Sequence, residues 1–138
     1  MKITMKTIDA INLCTGLETI AIDNTRKMPG NIAWNICRTY KSIIPIKRDF
    51  EEMQQNKVAG MIKEGKAEQL ADNNGTIQIP KEYMSEYIEY MNSIALSDID
   101  IDIYKISQDD FDKLLNTCEL SSPEVDAINQ LIEERESE

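Results

Sequence analysis

Apolar residues in the second quarter of the chain recur at the spacing of an α-helix. The stripe advances by steps of four, four and three through Ile32, Ile36, Tyr40 and Ile43. It continues to about residue 70 through Phe50, Met53, Val58, Met61 and Ile62. Such spacing places side chains on one helical face. Because Pro45 either kinks this helix or separates two helices, we expect a long kinked helix or a helical hairpin as the main scaffold.

Four shorter helices are predicted from periodicity and start signals. Thr7 is a plausible N-cap for a helix that ends near Gly16, and a tyrosine-rich stripe predicts another helix from residue 81 to residue 95. Capping-box patterns begin at Ser107 and Ser121, and the second has proline at the first turn. We therefore expect two short C-terminal helices, the last of which frays into an acidic tail from about residue 133.

The segments that alternate like β-strands are short. Residues 98–103 alternate Asp and Ile, and residues 76–79 alternate weakly before Pro80. We expect these two segments to pair around the helix at 81–95, while Lys2 to Met5 is a further short strand candidate. The predicted fold is α+β, mainly α, with a small two-stranded β element in one domain spanning residues 1–138.

Charge is divided unevenly along the chain. Residues 1–97 contain 12 basic and 12 acidic side chains, whereas residues 98–138 contain 3 basic and 13 acidic ones, which accounts for the net charge of −10. Residues 24–48 contain no acidic residue. Either the basic and acidic segments face each other or are simply solvated, or the basic segment receives an anion. A strongly negative chain repels nucleic acid, so a small anionic ligand or an acidic partner patch fits better.

Composition argues against catalysis and against a resident metal. Histidine is absent, which removes the commonest acid–base group near neutral pH and the usual nitrogen ligand of transition metals. The three cysteines are isolated, which is typical of a reducing compartment, and no apolar stretch is long enough to span a membrane. Asp98, Asp100 and Asp102 resemble the start of a calcium loop, but Ile103 stands where such a loop has glycine. We expect an acidic strand face there and no cofactor.

One group of residues has the chemistry of an anion-binding site. The candidate residues, which combine cations, amides and an indole on or just before the predicted basic helix, are Arg26, Lys27, Asn31, Trp34, Asn35, Arg38 and Lys41. Guanidinium groups bind phosphate in a bidentate manner, an indole stacks on a base, and amides recognise polar edges. In the alternative interpretation Trp34 anchors the core and the cations are a solvated face.

The order of elements resembles that of small bacteriophage accessory proteins of unknown function encoded near tail and structural genes. The segments that carry the resemblance are Met28-Pro29-Gly30, residues 75–80, residues 98–106 and residues 121–124. The resemblance covers most of the chain, but these segments only mark where helices and strands begin or end, and they include no catalytic residue. The resemblance implies a viral accessory protein in the cytoplasm of a bacterial host.

Charge, composition and the resemblance lead to three hypotheses about function. The first is a non-enzymatic binding protein that sequesters an anionic, nucleotide-like host signalling molecule or masks a host defence factor. The second is a structural protein or tail-assembly chaperone that acts through protein–protein contacts of its acidic C-terminal third. The third, a carboxylate- or metal-dependent enzyme, is disfavoured by the missing histidine. We also expect a homo-oligomer.

Overall fold

A computed structural model describes residues 2–22, 28–70 and 76–132. The chain divides into two compact units: unit 1 comprises Met1–Lys47 and Asp98–Glu138, and unit 2 comprises Arg48–Ser97. The expectation of one domain stays a prediction, because compactness alone does not decide whether the units fold independently. The predicted acidic tail lies outside the described residues.

Within those residues the chain forms five helices and four strands. The helices are α1 (Thr7–Ile22), α2 (Gly30–Lys63), α3 (Lys81–Ala95), α4 (Gln108–Thr117) and α5 (Ser122–Asn129). The strands are β1 (Lys2–Lys6), β2 (Glu68–Gln69), β3 (Ile77–Gln78) and β4 (Asp98–Asp102). This architecture confirms the predicted α+β class with a long helix and two short C-terminal helices. No helix of these ranges is long and apolar enough to cross a membrane.

The predicted strand pairing is wrong, since the strands form two antiparallel pairs instead of one. β4 pairs with β1, and β3 pairs with β2. In the first pair Lys6 lies opposite Asp98, and Met5 lies opposite Ile99. One face of that pair therefore brings opposite charges together, while the other packs against the core. β1 thus offers β4 both an apolar face and opposite charges.

α2 continues through Pro45 without ending, so the alternative of two separate helices is wrong. It begins after Pro29, whose carbonyl oxygen accepts the first backbone hydrogen bonds from Ile32 and Ala33. At its other end Gly65 adopts a positive φ of 77°, and the amide of Lys66 donates to the carbonyl of Met61 over 2.7 Å. A left-handed glycine is a common helix terminator because it lacks a Cβ.

α1 extends beyond the predicted end at Gly16 and reaches Ile22. Gly16 is buried where α1 packs against α5: a Cβ built on it would lie 2.7 Å from the Cβ of Ala127 and 3.1 Å from the Pro123 carbonyl oxygen. The glycine thus permits close helix packing instead of ending the helix. Helix termination by glycine is a local signal, and here the tertiary contact overrides it.

The predicted helix starts near the C-terminus are confirmed. The hydroxyl of Ser107 accepts a hydrogen bond from the amide of Asp110, which caps α4. Ser121 and Glu124 form a reciprocal capping box at the start of α5. Glu124 is buried and also accepts a hydrogen bond from the Thr19 hydroxyl over 2.8 Å. These caps fix α4 and α5 within unit 1.

The hydrophobic core of unit 1 is mainly aliphatic. Its fully buried large side chains come from α1, α2, the segment after β4 and the C-terminal helices, and they include Leu13, Leu17, Ile32, Ile36, Ile43, Ile103, Leu114 and Ile128. The stripe at 32, 36 and 43 is therefore the buried face of α2. Its polar flank is the surface that carries the candidate site.

Unit 2 combines the C-terminal part of α2 with the β2–β3 pair and α3. Its buried apolar residues within the described ranges are Met61, Ala67, Met91 and Ala95. An ionic cluster lies at its surface: the Lys66 ammonium pairs with Glu64 and Glu86, both at 3.2 Å, and Lys57 lies 3.3 Å from Glu86. Among the described residues, this unit therefore buries fewer apolar side chains than unit 1.

Candidate functional site

The N-terminal half of α2 brings four of the seven candidate residues onto one surface. Asn31, Trp34, Asn35 and Arg38 are three or four residues apart, and side chains at these spacings are neighbours on a helix. The Trp34 side chain is 59% exposed, so it is not a core anchor. An exposed indole beside polar groups is available for stacking.

The guanidinium group of Arg38 lies between two aromatic rings. Its Cζ is 3.9 Å from the centroid of the Tyr104 ring and 5.3 Å from that of Trp34. Both distances are within the range of cation–π attraction, which holds the cation in place without neutralising its charge. Trp34, Asn35, Arg38 and Tyr104 are named the Trp34–Arg38 surface below.

Hydrogen bonds fix the orientation of the cation. Nη2 of Arg38 donates to Oδ1 of Asn35 over 3.2 Å, and Nδ2 of Asn35 donates to the carbonyl oxygen of Lys105 over 3.1 Å. Nε of Arg38 is buried and finds no hydrogen-bond acceptor among the described residues. A guanidinium carries five N–H donors, so the Nη1 and Nη2 donors that Asn35 does not use remain for a ligand, whereas the buried Nε does not.

Two hydrogen bonds join α2 to the backbone at the end of β4 and just after it, and they position Tyr104. The buried hydroxyl of Thr39 accepts a hydrogen bond from the amide of Tyr104 over 3.0 Å. The Ser42 hydroxyl donates to the carbonyl oxygen of Asp102 over 2.6 Å. These two bonds to the backbone position the tyrosine ring against Arg38.

The carboxylate of Asp110 contacts α2 at Asn31, on the N-terminal side of this surface and away from Arg38. Nδ2 of Asn31 donates to Oδ2 of Asp110 over 3.1 Å. Asn31 lies seven residues before Arg38, a rise of about 10 Å along a helix. The surface is therefore polar along its length, with an anion near Asn31, an indole in the middle and a cation at Arg38.

The remaining candidates contribute less to this geometry. Lys41 is exposed one turn beyond Arg38. Arg26 and Lys27 lie outside the described residues. Sequence reasoning missed Tyr104 and Asp110, because neither has a local signal that points to α2; only the run of strand residues before Tyr104 indicated that the segment was ordered.

The basic and acidic segments meet through hydrogen bonds and ring stacking in the described ranges. Among those residues no carboxylate forms an ion pair with Arg38. The acids of β4 lie opposite β1 instead, where Lys6 pairs with Asp98 at 2.9 Å, and Lys47 pairs with Glu18 at 3.6 Å. Arg38 therefore keeps an uncompensated charge within the part of the chain that the structure describes.

The acidic strand face shows no ion-binding geometry. Asp98, Asp100 and Asp102 alternate along β4 opposite residues of β1, and the Thr4 hydroxyl donates to Asp100. In the residues with described positions, no group of three Cys, Asp or Glu side chains is arranged to hold a metal ion.

A second surface feature, which sequence reasoning missed, lies in unit 2. An apolar groove of about 510 Å³ runs between α2, β3 and α3, and it is lined by Gln54, Gln55, Val58, Ala59, Ile62, Ile77, Ile79, Met84 and Tyr87. The Gln54 amide donates to the Tyr87 hydroxyl over 2.7 Å at this groove. Its lining comes from three elements that only the fold brings together.

Fold and site together define a small α+β protein with a stacked cation on one helix face and an apolar groove. Comparison with models of protein families, with curated proteins and with solved structures found no match.

Proposed function

We propose that the protein is a non-enzymatic binding protein that captures a nucleotide-like anion on the Trp34–Arg38 surface. The observation that carries the proposal is the guanidinium of Arg38, held between Tyr104 and Trp34 and without a carboxylate partner among the described residues. A positioned cation with spare donors beside an exposed ring matches a ligand that has both an anionic and an aromatic part.

The two rings and the guanidinium have separate tasks in this proposal. Tyr104 and Asn35 hold Arg38 in one orientation before the ligand arrives, which lowers the entropy cost of binding. The exposed indole of Trp34 stacks on the aromatic part of the ligand, and the free N–H groups of Arg38 donate to its phosphate.

Net charge limits the size of the ligand. The whole chain carries −10, so a long polyanion is repelled, whereas a small anion meets mainly the local cation. In a bacterial host, such a protein would sequester a nucleotide-like signalling molecule or mask a host defence factor. The absence of histidine supports binding over catalysis.

Trp34 itself provides the assay, since it is the one tryptophan in the sequence. Titration with nucleoside monophosphates should quench its fluorescence in a saturable manner. Arg38→Gln should weaken binding at least roughly tenfold, because a charge-assisted hydrogen bond contributes about 1.5–3 kcal/mol. Arg48→Gln is the matched control, because it removes the same charge from the same helix in unit 2.

Equal affinity of the two variants would show that the cation at residue 38 is not the binding group. Absence of quenching by every nucleotide, with inorganic phosphate also without effect on the melting temperature, would overturn the proposal.

The groove of unit 2 favours a second candidate function, in which the protein is an assembly factor acting through protein–protein contacts. We assign the groove to an amphipathic partner helix whose apolar stripe is flanked by basic residues. Unit 2 contains 5 basic and 9 acidic residues, a net −4, and Glu51 and Glu52 are exposed one turn before Gln55. This charge attracts a basic helix and disfavours a second copy of unit 2.

Two labelled peptides with the same leucine stripe, one with lysine flanks and one with glutamate flanks, test this assignment by fluorescence anisotropy. Only the lysine-flanked peptide should bind, and Ala59→Lys within the groove should abolish binding. Asn56→Lys adds the same charge outside the groove lining and should have a small effect. Equal binding of both peptides, or a dimer that Ala59→Lys dissociates, would contradict the assignment; the dimer would assign the groove to a second copy.

A further inference from the structure

We infer that the Trp34–Arg38 surface selects a guanine-type base, which the carboxylate of Asp110 recognises at the end opposite Arg38. This inference rests on the proposed function and adds the chemical class of the base. It uses a group that the anion-binding proposal does not need, namely the carboxylate that Asn31 holds at 3.1 Å.

Asp110 is held in position by a side chain of α2 and by the cap of α4. The amide of Asn31 contacts its Oδ2, and the Ser107 cap at the start of α4 fixes its backbone. Asn31 stands one turn before the exposed Trp34 indole, whereas Arg38 stands one turn after it. Along α2 the indole therefore lies between Asn31, which holds the carboxylate of Asp110, and Arg38, which supplies the guanidinium.

The hydrogen-bond chemistry of a carboxylate fits guanine better than adenine. An ionised carboxylate only accepts hydrogen bonds, and its two oxygens offer about four lone-pair sites, of which Asn31 uses one. Guanine presents two neighbouring N–H donors, the ring N1–H and the 2-amino group, which match two carboxylate oxygens. Adenine presents a ring nitrogen acceptor beside its amino group, and this acceptor would face the carboxylate with unfavourable lone-pair repulsion.

The charge of the ligand's phosphate favours one direction of binding. The phosphate of a mononucleotide is at the far side of the ribose from the donor edge of guanine. With the donor edge at Asp110, that phosphate is directed towards Arg38 and the exposed Lys41 beyond it. The reversed orientation would bring the phosphate next to Asp110, so electrostatics selects one direction of binding.

Quenching of Trp34 fluorescence by three matched ligands tests the inference. Guanosine, inosine and adenosine monophosphates share the phosphate and ribose, and inosine lacks only the 2-amino group of guanosine. The guanosine ligand should bind the wild-type protein on the order of tenfold more tightly than the adenosine ligand, with the inosine ligand between them.

Asp110→Asn separates recognition from folding. The substitution keeps an oxygen for Asn31 and leaves the backbone cap intact, so the melting temperature should change little. It should reduce the preference for guanosine over adenosine monophosphate to less than about twofold while adenosine monophosphate still binds. Asp112→Asn, which removes the same charge from an exposed position of α4, should keep the wild-type preference.

Two results distinguish failure of the inference from failure of the proposed function. If all three ligands bind wild type with equal affinity, or Asp110→Asn keeps the guanosine preference, Asp110 does not read the base, although nucleotide capture stands. If none of the three quenches Trp34, both the base preference and nucleotide capture are wrong.

Discussion

Arg38 is both packed against its neighbours and the cation of the candidate site. Its side chain is partly buried, and its guanidinium is stacked on Tyr104 with one hydrogen bond to Asn35. A lysine at this position would keep the charge but lose the planar contacts, so the site depends on the shape of the group as well as its charge. The helical spacing could predict that Arg38 lies near Trp34, whereas the stack with Tyr104 needed the fold.

Two glycines give a residue-scale prediction with an internal control. Gly16→Ala should lower the melting temperature, because the added Cβ meets Ala127 at 2.7 Å and overpacking of a core typically costs about 1–3 kcal/mol. Gly60→Ala should raise the free energy of unfolding by about 0.5–1 kcal/mol, since nothing lies within 4 Å of the new Cβ and alanine favours helix. Thermal denaturation of both variants measures the difference.

Stabilisation of both variants by the same amount would show that α1 and α5 are not in close contact at Gly16. The comparison isolates tertiary packing, because helix propensity improves in both variants.

At the scale of elements, β1 and β4 are matched in both charge and apolarity. Lys6→Glu would place two carboxylates opposite each other at the Asp98 pair and should cost about 0.2–1 kcal/mol. The charge-swapped double variant Lys6→Glu/Asp98→Lys should recover most of that loss. Urea denaturation of the single and double variants checks this prediction; a double variant no more stable than Lys6→Glu would contradict the register.

The ionic cluster of unit 2 predicts a dependence of stability on pH. Hydrogen bonds from Lys66 and Lys57 lower the pKa of Glu86 below its ordinary value of 4.5. A carboxylate whose pKa is lower in the folded state stabilises the fold above 4.5 and loses that contribution as the pH falls through the lowered pKa. Glu86→Gln should therefore make the fall in melting temperature at acidic pH, the acid limb of the pH profile, less steep.

Glu89→Gln, at an exposed position of the same helix, is the control and should leave the acid limb steep. Lys66 affects stability at high pH. Its hydrogen bonds to Glu86 and Glu64 raise its pKa above the ordinary value of 10.5. Its contribution to the stability of the fold is therefore present below pH 10.5 and is lost as the pH rises through the raised pKa. An unchanged acid limb in Glu86→Gln would show that the cluster does not form in solution.

At the scale of the whole molecule, the two units differ in how much apolar surface they bury. α1 contributes Leu13, Cys14 and Leu17 to the core at 0–1% exposure, while the described part of unit 2 buries few large side chains. Local opening is easier where fewer apolar contacts must be broken. The amides of α3 should therefore exchange with deuterium faster than those of α1, as measured by hydrogen-exchange mass spectrometry.

Protection of α3 equal to that of α1 would indicate that unit 2 is stabilised by contacts beyond its own small core. Repeating the exchange with the lysine-flanked peptide bound would show whether the groove contributes to that protection.

The sequence by itself determined the features that depend on neighbouring residues. The stripe at 32, 36 and 43, the caps at Ser107 and Ser121, and the common face of Trp34 and Arg38 all follow from helical periodicity or local hydrogen bonds. These interactions join residues within one or two turns, so their geometry is set once the segment is helical.

Only the tertiary structure decided the rest. Ile3 lies opposite Ile101, and Asn31 contacts Asp110, although each pair is separated by most of the chain. Alternation could show that residues 98–103 form a strand but could not choose its partner, because several segments offered an apolar face. The candidate site is likewise only half local: α2 supplies the cation and the indole, whereas the second ring comes from Tyr104 after β4 and the carboxylate from Asp110 in α4.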